Sequence, residues 1–191
     1  MTFRPGPALL PLVPNLITLA RLFSVPLVVW LVINGHFEWS FWLFVAAGLT
    51  DALDGFLARR LSIRSTVGAF LDPLADKALL VGVYVALGYE GHLAEWLVII
   101  VVFRDIIIIG GAILYQTLTQ ALKMQPLWVS KANTCAQIAL GGFVLAQLGF
   151  GFNDRGIVEI GTFMVAATTI VSGLSYVYVW GRRIAGLEHD K

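Results

Sequence analysis

The chain has 191 residues, of which 58% are hydrophobic and only 13% charged, with a mean hydropathy of +0.82. A soluble domain of this size carries about 25% charged residues, so too little polar side chain is present to cover a globule in water, and an integral membrane protein is expected. A formal net charge of +1 leaves no basic footprint for nucleic acid. The lone Cys135 excludes a disulfide framework, argues against a zinc site, and reads as a small buried hydrophobe.

A helix needs about 20 apolar residues to cross the hydrocarbon core. Stretches at 15–34, 39–60, 70–89, 94–116, 130–150 and 157–181 predict six transmembrane α-helices in a single domain, residues 1–191. Breakers fall between them: Asn34-Gly35, Gly88 to Gly91, Pro126, and Asn153-Asp154-Arg155-Gly156. In the second stretch the clean apolar run stops near Leu49 and acidic residues follow. Pro5, Pro7, Pro11 and Pro14, with Arg21 inside the first run, argue against a signal peptide. The first dozen residues read instead as a segment lying along the membrane surface. Orientation follows from the basic residues once Arg21 and Arg104, inside predicted spans, are set aside. Arg4, Arg59, Arg60, Arg64, Lys77, Lys123, Lys131, Arg182, Arg183 and Lys191 fall on one side and Arg155 alone on the other, which predicts both termini in the cytoplasm.

Acidic side chains in a membrane span are costly and mark function. Asp51-Ala-Leu-Asp54-Gly55-Phe-Leu-Ala58-Arg59 closes the second helix, and Gly68-Ala-Phe-Leu-Asp72-Pro-Leu-Ala-Asp76-Lys77 opens the third. At about 100° per residue, Asp51, Asp54, Gly55 and Ala58 share an arc of about 100°, and Gly68, Asp72 and Asp76 one of about 80°. Two helices joined by a short cytoplasmic loop are thus predicted to face each other across four carboxylates. One Asp at a helix end reads as a cap, and Asp72 before Pro73 fits that role, with Pro73 at the first helical position. Four on adjoining faces, among small residues, read as a cation site, because carboxylates so placed repel and take up protons unless neutralised. Oxygen-only ligands point to Mg²⁺ or Mn²⁺, and two ions balance four charges. Arg59 stands one helical step away, placed for a phosphate. Metals, a spare carboxylate as base and a phosphate contact suit transfer at phosphorus.

Asp51-x2-Asp54-Gly55-x2-Ala58-Arg59-x8-Gly68-x3-Asp72-x3-Asp76 resembles the full signature of the CDP-alcohol phosphatidyltransferases. The resemblance implies six transmembrane helices, cytoplasmic termini, a homodimer, and a multi-pass protein of a bacterial cytoplasmic membrane, with the mitochondrial inner membrane as the alternative. It also implies that Asp51, Asp54 and Asp72 hold the metal pair, and that Asp76 completes the site and acts as general base. Gly55, Ala58, Arg59 and Gly68 match positions that hold the CDP part of CDP-diacylglycerol, and Thr66 offers a hydroxyl beside them. The implied reaction is attack of an alcohol hydroxyl on the phosphorus next to the diacylglycerol, with release of CMP.

Two polar features bear on the acceptor. Arg104-Asp105 interrupts the apolar fourth helix, and Ser130, Asn133, Thr134 and Gln137 share one face of the fifth, with Lys131 beside it. Both readings stay open: a lining for an acceptor phosphate, contributed by Arg104, Asp105, Ser130, Lys131 and Asn133, or an ion pair and polar glue between helices. Within the family, Val129-Ser-Lys-Ala-Asn-Thr134 with Phe103-Arg104-Asp105 is similar to the CMP-forming cardiolipin synthases, which implies phosphatidylglycerol as acceptor. Leu71-Asp-Pro-Leu-Ala-Asp-Lys77 is shared with phosphatidylglycerophosphate synthases, so glycerol 3-phosphate is the rival acceptor. Asn15-Leu-Ile-Thr18-x2-Arg21 opens the first helix much as in both groups; its polar residues either close the site or act as a cap and a snorkelling Arg. A cation or proton transporter is the alternative from another class. It would place carboxylates at the membrane midplane in two matching halves, a pattern this sequence lacks.

Overall fold

The computed structural model describes residues 12–61, 66–119, 128–152 and 154–189, with side chains in these segments described outside 12–18, 51–61, 66–76, 112–119, 180–181 and 183–189. Its elements are six helices: α1 Leu12–Ile33, α2 Phe37–Leu61, α3 Thr66–Tyr89, α4 Glu95–Thr119, α5 Trp128–Phe150 and α6 Arg155–His189. There is no strand among the described residues. Each helix coincides with one of the stretches expected from the sequence.

Three connections are tight because glycines at positive φ stop the helices. Gly35, Gly91 and Gly151 have φ of 72°, 74° and 73°, a region in which a Cβ is strained. After α1, the amide of His36 donates to Leu31 O at 2.8 Å and that of Gly35 to Val32 O at 3.0 Å. After α3 the same pair recurs, His92 to Leu87 O and Gly91 to Gly88 O. These are Schellman closures, which satisfy the last carbonyls of each helix. Asp154 then caps α6, accepting from the amide of Ile157 at 3.1 Å. Phe37 packs edge-on to His92 with ring centroids 5.2 Å apart, so the first two turns lie together at one end of the bundle.

Helix α1 packs against α2 and α3, α5 against α2, α3 and α6, and α4 against α3 and α6. Val28, Val32, Tyr84, Leu87, Leu97, Val101, Leu145 and Val165 fill the middle. Gly149 lets α5 touch the start of α2, since a Cβ there would stand 2.8 Å from the backbone of Glu38. Outside, Phe23, Trp39, Ile99, Phe103, Ile106, Phe163 and Leu174 are all exposed. Inside, Arg21, Arg104, Asp105, Asn133, Gln137 and Ser172 are buried. Large apolar side chains outside, with charged ones buried beside the apolar core, depart from the pattern of a water-soluble bundle. Among the described residues, Arg155–Val179 is the stretch long and apolar enough to cross a membrane, and Leu19–Ile33 and Lys77–Tyr89 are shorter apolar runs.

Three expectations are corrected. Helix α3 begins at Thr66, so Asp72 is not its cap and Pro73 lies inside the helix. The tight pairing of Asp with Pro is a start signal only where nothing upstream can continue the helix, and Thr66 to Leu71 do so. Cys135 is exposed rather than buried, because α5 turns its Asn133–Gln137 face inward and Cys135 falls on the far side. Lys77 lies in the body of α3, in contact with α4, so it is not a loop charge for orientation. The first eleven residues, expected along the membrane surface, lie outside the described residues.

Candidate active site

A cavity of about 440 Å³ opens between α1, α2, α3 and α5. Phe44, Ala47 and Gly48 of α2, Leu79 and Leu80 of α3, and Ile138 of α5 make most of its wall apolar, while Arg21 and Lys77 add positive charge. Helical register connects this cavity to the signature. Counting about 100° per residue, Phe44, Ala47 and Gly48 fall on the same arc of α2 as positions 51, 54, 55 and 58. On α3, Leu79 falls on the arc of positions 68, 72 and 76. The α2 signature segment therefore continues the α2 cavity face toward the end of the bundle away from the glycine turns, while on α3 Leu80 and Lys77 line the cavity from outside the signature arc. Asp51, Asp54, Gly55, Ala58 and Arg59 belong to α2, and Thr66, Gly68, Asp72 and Asp76 to α3; their side chains lie outside the described residues. Among the described residues no group of three His, Cys, Asp or Glu side chains comes together.

Beside the cavity, α3, α4, α5 and α6 share a charged cluster. Arg104 donates from Nη1 to Asp105 at 2.6 Å and from Nη2 to Ser130 at 2.6 Å. Its Nε donates to the hydroxyl of Ser172 at 3.2 Å, and Nη2 reaches the same hydroxyl. Lys77 donates from Nζ to Asp105 Oδ1 at 2.9 Å. Arg104 and Asp105 are each 3% exposed, so these bonds form where unpaired charge is expensive.

Of the residues expected to meet the acceptor, Arg104, Asp105 and Ser130 are brought together, and Lys131 and Asn133 do not join them. Lys131 is exposed, its ammonium 4.9 Å above the ring of Trp128. Asn133 faces α6, where its Oδ1 accepts from the hydroxyls of Thr168 and Thr169 at 2.8 and 2.9 Å. Gln137 is fully buried, and its backbone carbonyl accepts from the Tyr84 hydroxyl at 2.9 Å. Thr134 lines the cavity. Sequence reasoning missed Ser172 as a partner of Arg104 and Lys77 as a partner of Asp105. The charge of Lys77 inside an apolar run was the available signal.

The chain matches the family model of CDP-alcohol phosphatidyltransferases over residues 11–177. It belongs to the CDP-alcohol phosphatidyltransferase family. Similar proteins include the chloroplastic CDP-diacylglycerol–glycerol-3-phosphate 3-phosphatidyltransferase 1 of Oryza sativa subsp. japonica, 34% identical over 85% of this chain and 55% of the relative. The CMP-forming cardiolipin synthase of Homo sapiens is 33% identical over 93% of this chain and 64% of the relative. The CDP-diacylglycerol–glycerol-3-phosphate 3-phosphatidyltransferase of Cereibacter sphaeroides is 34% identical over 78% of this chain and 69% of the relative. The chain thus spans 55% and 64% of the rice and human relatives' lengths. Relatives at this identity carry both the cardiolipin synthase and the glycerol-3-phosphate 3-phosphatidyltransferase names.

Proposed function

We propose that this chain is a multi-pass membrane enzyme that transfers a phosphatidyl group from CDP-diacylglycerol to phosphatidylglycerol, giving cardiolipin and CMP. The observation that supports this most is the mostly apolar cavity carrying Arg21 and Lys77, whose α2 face runs in register onto the positions of Asp51 and Asp54. An amphipathic, anionic lipid suits such a lining: chains against Phe44, Leu79 and Ile138, phosphate toward the cations and the signature.

In this reading all six helices cross the bilayer and both termini face the cytoplasm. With Lys77 removed from the count, the basic residues at or beyond the helix ends still stand nine to one on that side. Asp51, Asp54, Asp72 and Asp76 supply only oxygen donors, on one arc of each of two successive helices, and such a set fits two hard divalent cations, Mg²⁺ or Mn²⁺. When bound, these supply charge neutralisation for the diphosphate of the donor. Gly55, Ala58 and Gly68 leave room for the nucleotide, with Arg59 and Thr66 beside it. The headgroup hydroxyl oxygen of phosphatidylglycerol attacks the phosphorus next to the diacylglycerol. Its proton passes to the Asp76 carboxylate, the bond from phosphorus to the CMP oxygen breaks, and CMP leaves. The polar cluster of Arg104, Asp105 and Ser130 adjoins the cavity through Lys77 and serves the acceptor side. We assign a homodimer on the family resemblance.

The favoured acceptor rests on the cavity lining. Most of the wall is apolar, which suits a lipid arriving from the bilayer better than a small soluble dianion. Transfer to glycerol 3-phosphate is the second reading, favoured by the names of the rice and Cereibacter relatives. Purified protein given CDP-diacylglycerol with each alcohol in turn tests the choice. We expect CMP release and cardiolipin with phosphatidylglycerol and little turnover of glycerol 3-phosphate. Efficient use of glycerol 3-phosphate with no cardiolipin formed overturns the acceptor assignment.

A further inference from the structure

Arg104 is the charge that the sequence marks for an anionic ligand, yet every nitrogen of its guanidinium already has a partner. Nη1 holds Asp105, Nη2 holds Ser130 and Ser172, and Nε holds Ser172. A phosphate that displaced these groups would leave buried hydroxyls and a carboxylate unpaired, so the exchange gains little. Lys77 is placed differently. Its side chain keeps 24% exposure against 4% for that of Asp105, and the residue lines the apolar cavity opposite α2. The two cations share one carboxylate oxygen, Asp105 Oδ1, at 2.6 and 2.9 Å. Oδ2 of the same carboxylate has no hydrogen-bond partner. Lys77 thus sets a cation at the wall of the apolar cavity, and the cavity side is where an anionic group can reach it.

On the reading of the chain as a lipid phosphatidyltransferase, we propose that Lys77 holds the anionic phosphate of a lipid substrate in this cavity. Asp105, clamped by Arg104, is the positioning residue that sets the Lys77 ammonium at the cavity wall. The phosphate belongs either to the acceptor phosphatidylglycerol or to CDP-diacylglycerol, and steady-state kinetics separates the two. Lys77→Met keeps the stem of the side chain and leaves Asp105 paired with Arg104, so the bundle keeps its core. It should raise the KM of one lipid about tenfold or more, as expected for loss of a charge-assisted contact, with a much smaller change in kcat. The KM that moves identifies the source. Lys77→Arg should restore that KM to within about threefold. Asp105→Asn should raise the same KM, but add nothing further in a Lys77→Met background, since both changes then remove one interaction. Retention of phosphatidylglycerol and of CDP-diacylglycerol by the purified protein, read by native mass spectrometry, should fall for the same lipid. Lys77→Met with both KM values and both lipid affinities unchanged overturns the proposal, whether or not Asp105→Asn folds. An unmodified protein that releases no CMP with either alcohol overturns the function instead, and the lipid-retention arm then still decides the Lys77 contact.

Discussion

Asn133 is fully buried, and two threonine hydroxyls from α6 converge on its side-chain oxygen. The sequence places it on one face with Ser130, Thr134 and Gln137, and that face was legible. Its partner was not, because Thr168 and Thr169 lie 35 and 36 residues away and only the crossing of α5 and α6 brings them near. The same holds for Arg104, whose contact with Ser172 spans 68 positions. Local patterning marks a residue as inward-facing; packing decides whether it meets a ligand or a neighbour. Asp76 is the reverse case, since its role is read from the signature and its neighbour Lys77 alone is seen in place. As general base it should act mainly in the transition state. Asp76→Asn should therefore lower kcat by about 100-fold or more while changing CDP-diacylglycerol affinity little. A variant with normal turnover, or one impaired only in binding the lipid, counts against this role.

The helices themselves were largely readable from the sequence, because each breaker has a local cause. Asn34-Gly35 and the Gly88–Gly91 stretch became two identical Schellman ends, and Asp154 became the cap of α6. The start of α3 was misplaced because Pro73 resembles a first-turn proline, whereas a helix can also carry Pro in its body when its neighbours supply packing. What no periodicity foretells is how close two helices come. At Gly149 the gap is set by the backbone of Glu38 at 2.8 Å, and backbone cannot swing aside. Gly149→Ala should then cost about 1–3 kcal/mol as the helices shift to admit a methyl group. Gly110, where nothing stands within 4 Å of an added Cβ, is the control: Gly110→Ala should be neutral or mildly stabilising. Thermal unfolding in detergent compares them, and equal melting temperatures for both variants would show that α2 and α5 are not in tight contact there.

Among the described residues, exposed apolar side chains surround a core that also holds buried charges, and these charges lie next to a cavity lined by α1, α2, α3 and α5. Composition alone predicted the first part, since 13% charged residues cannot clothe a soluble surface. The cavity needed the fold, because its walls come from four helices and its cations, Arg21 and Lys77, from two of them. The central claim is that Asp51, Asp54, Asp72 and Asp76 form a metal-dependent transfer site. Chelation of divalent ions from the purified protein, followed by measurement of CMP release from CDP-diacylglycerol and phosphatidylglycerol, tests it most directly. We predict that turnover is lost with the metal and returns with Mg²⁺ or Mn²⁺. Asp51→Ala, Asp54→Ala and Asp72→Ala proteins, folded as judged by melting, should stay inactive at every ordinary metal concentration. Turnover that persists in chelator, or near-normal CMP release by any two of these variants, would contradict the account.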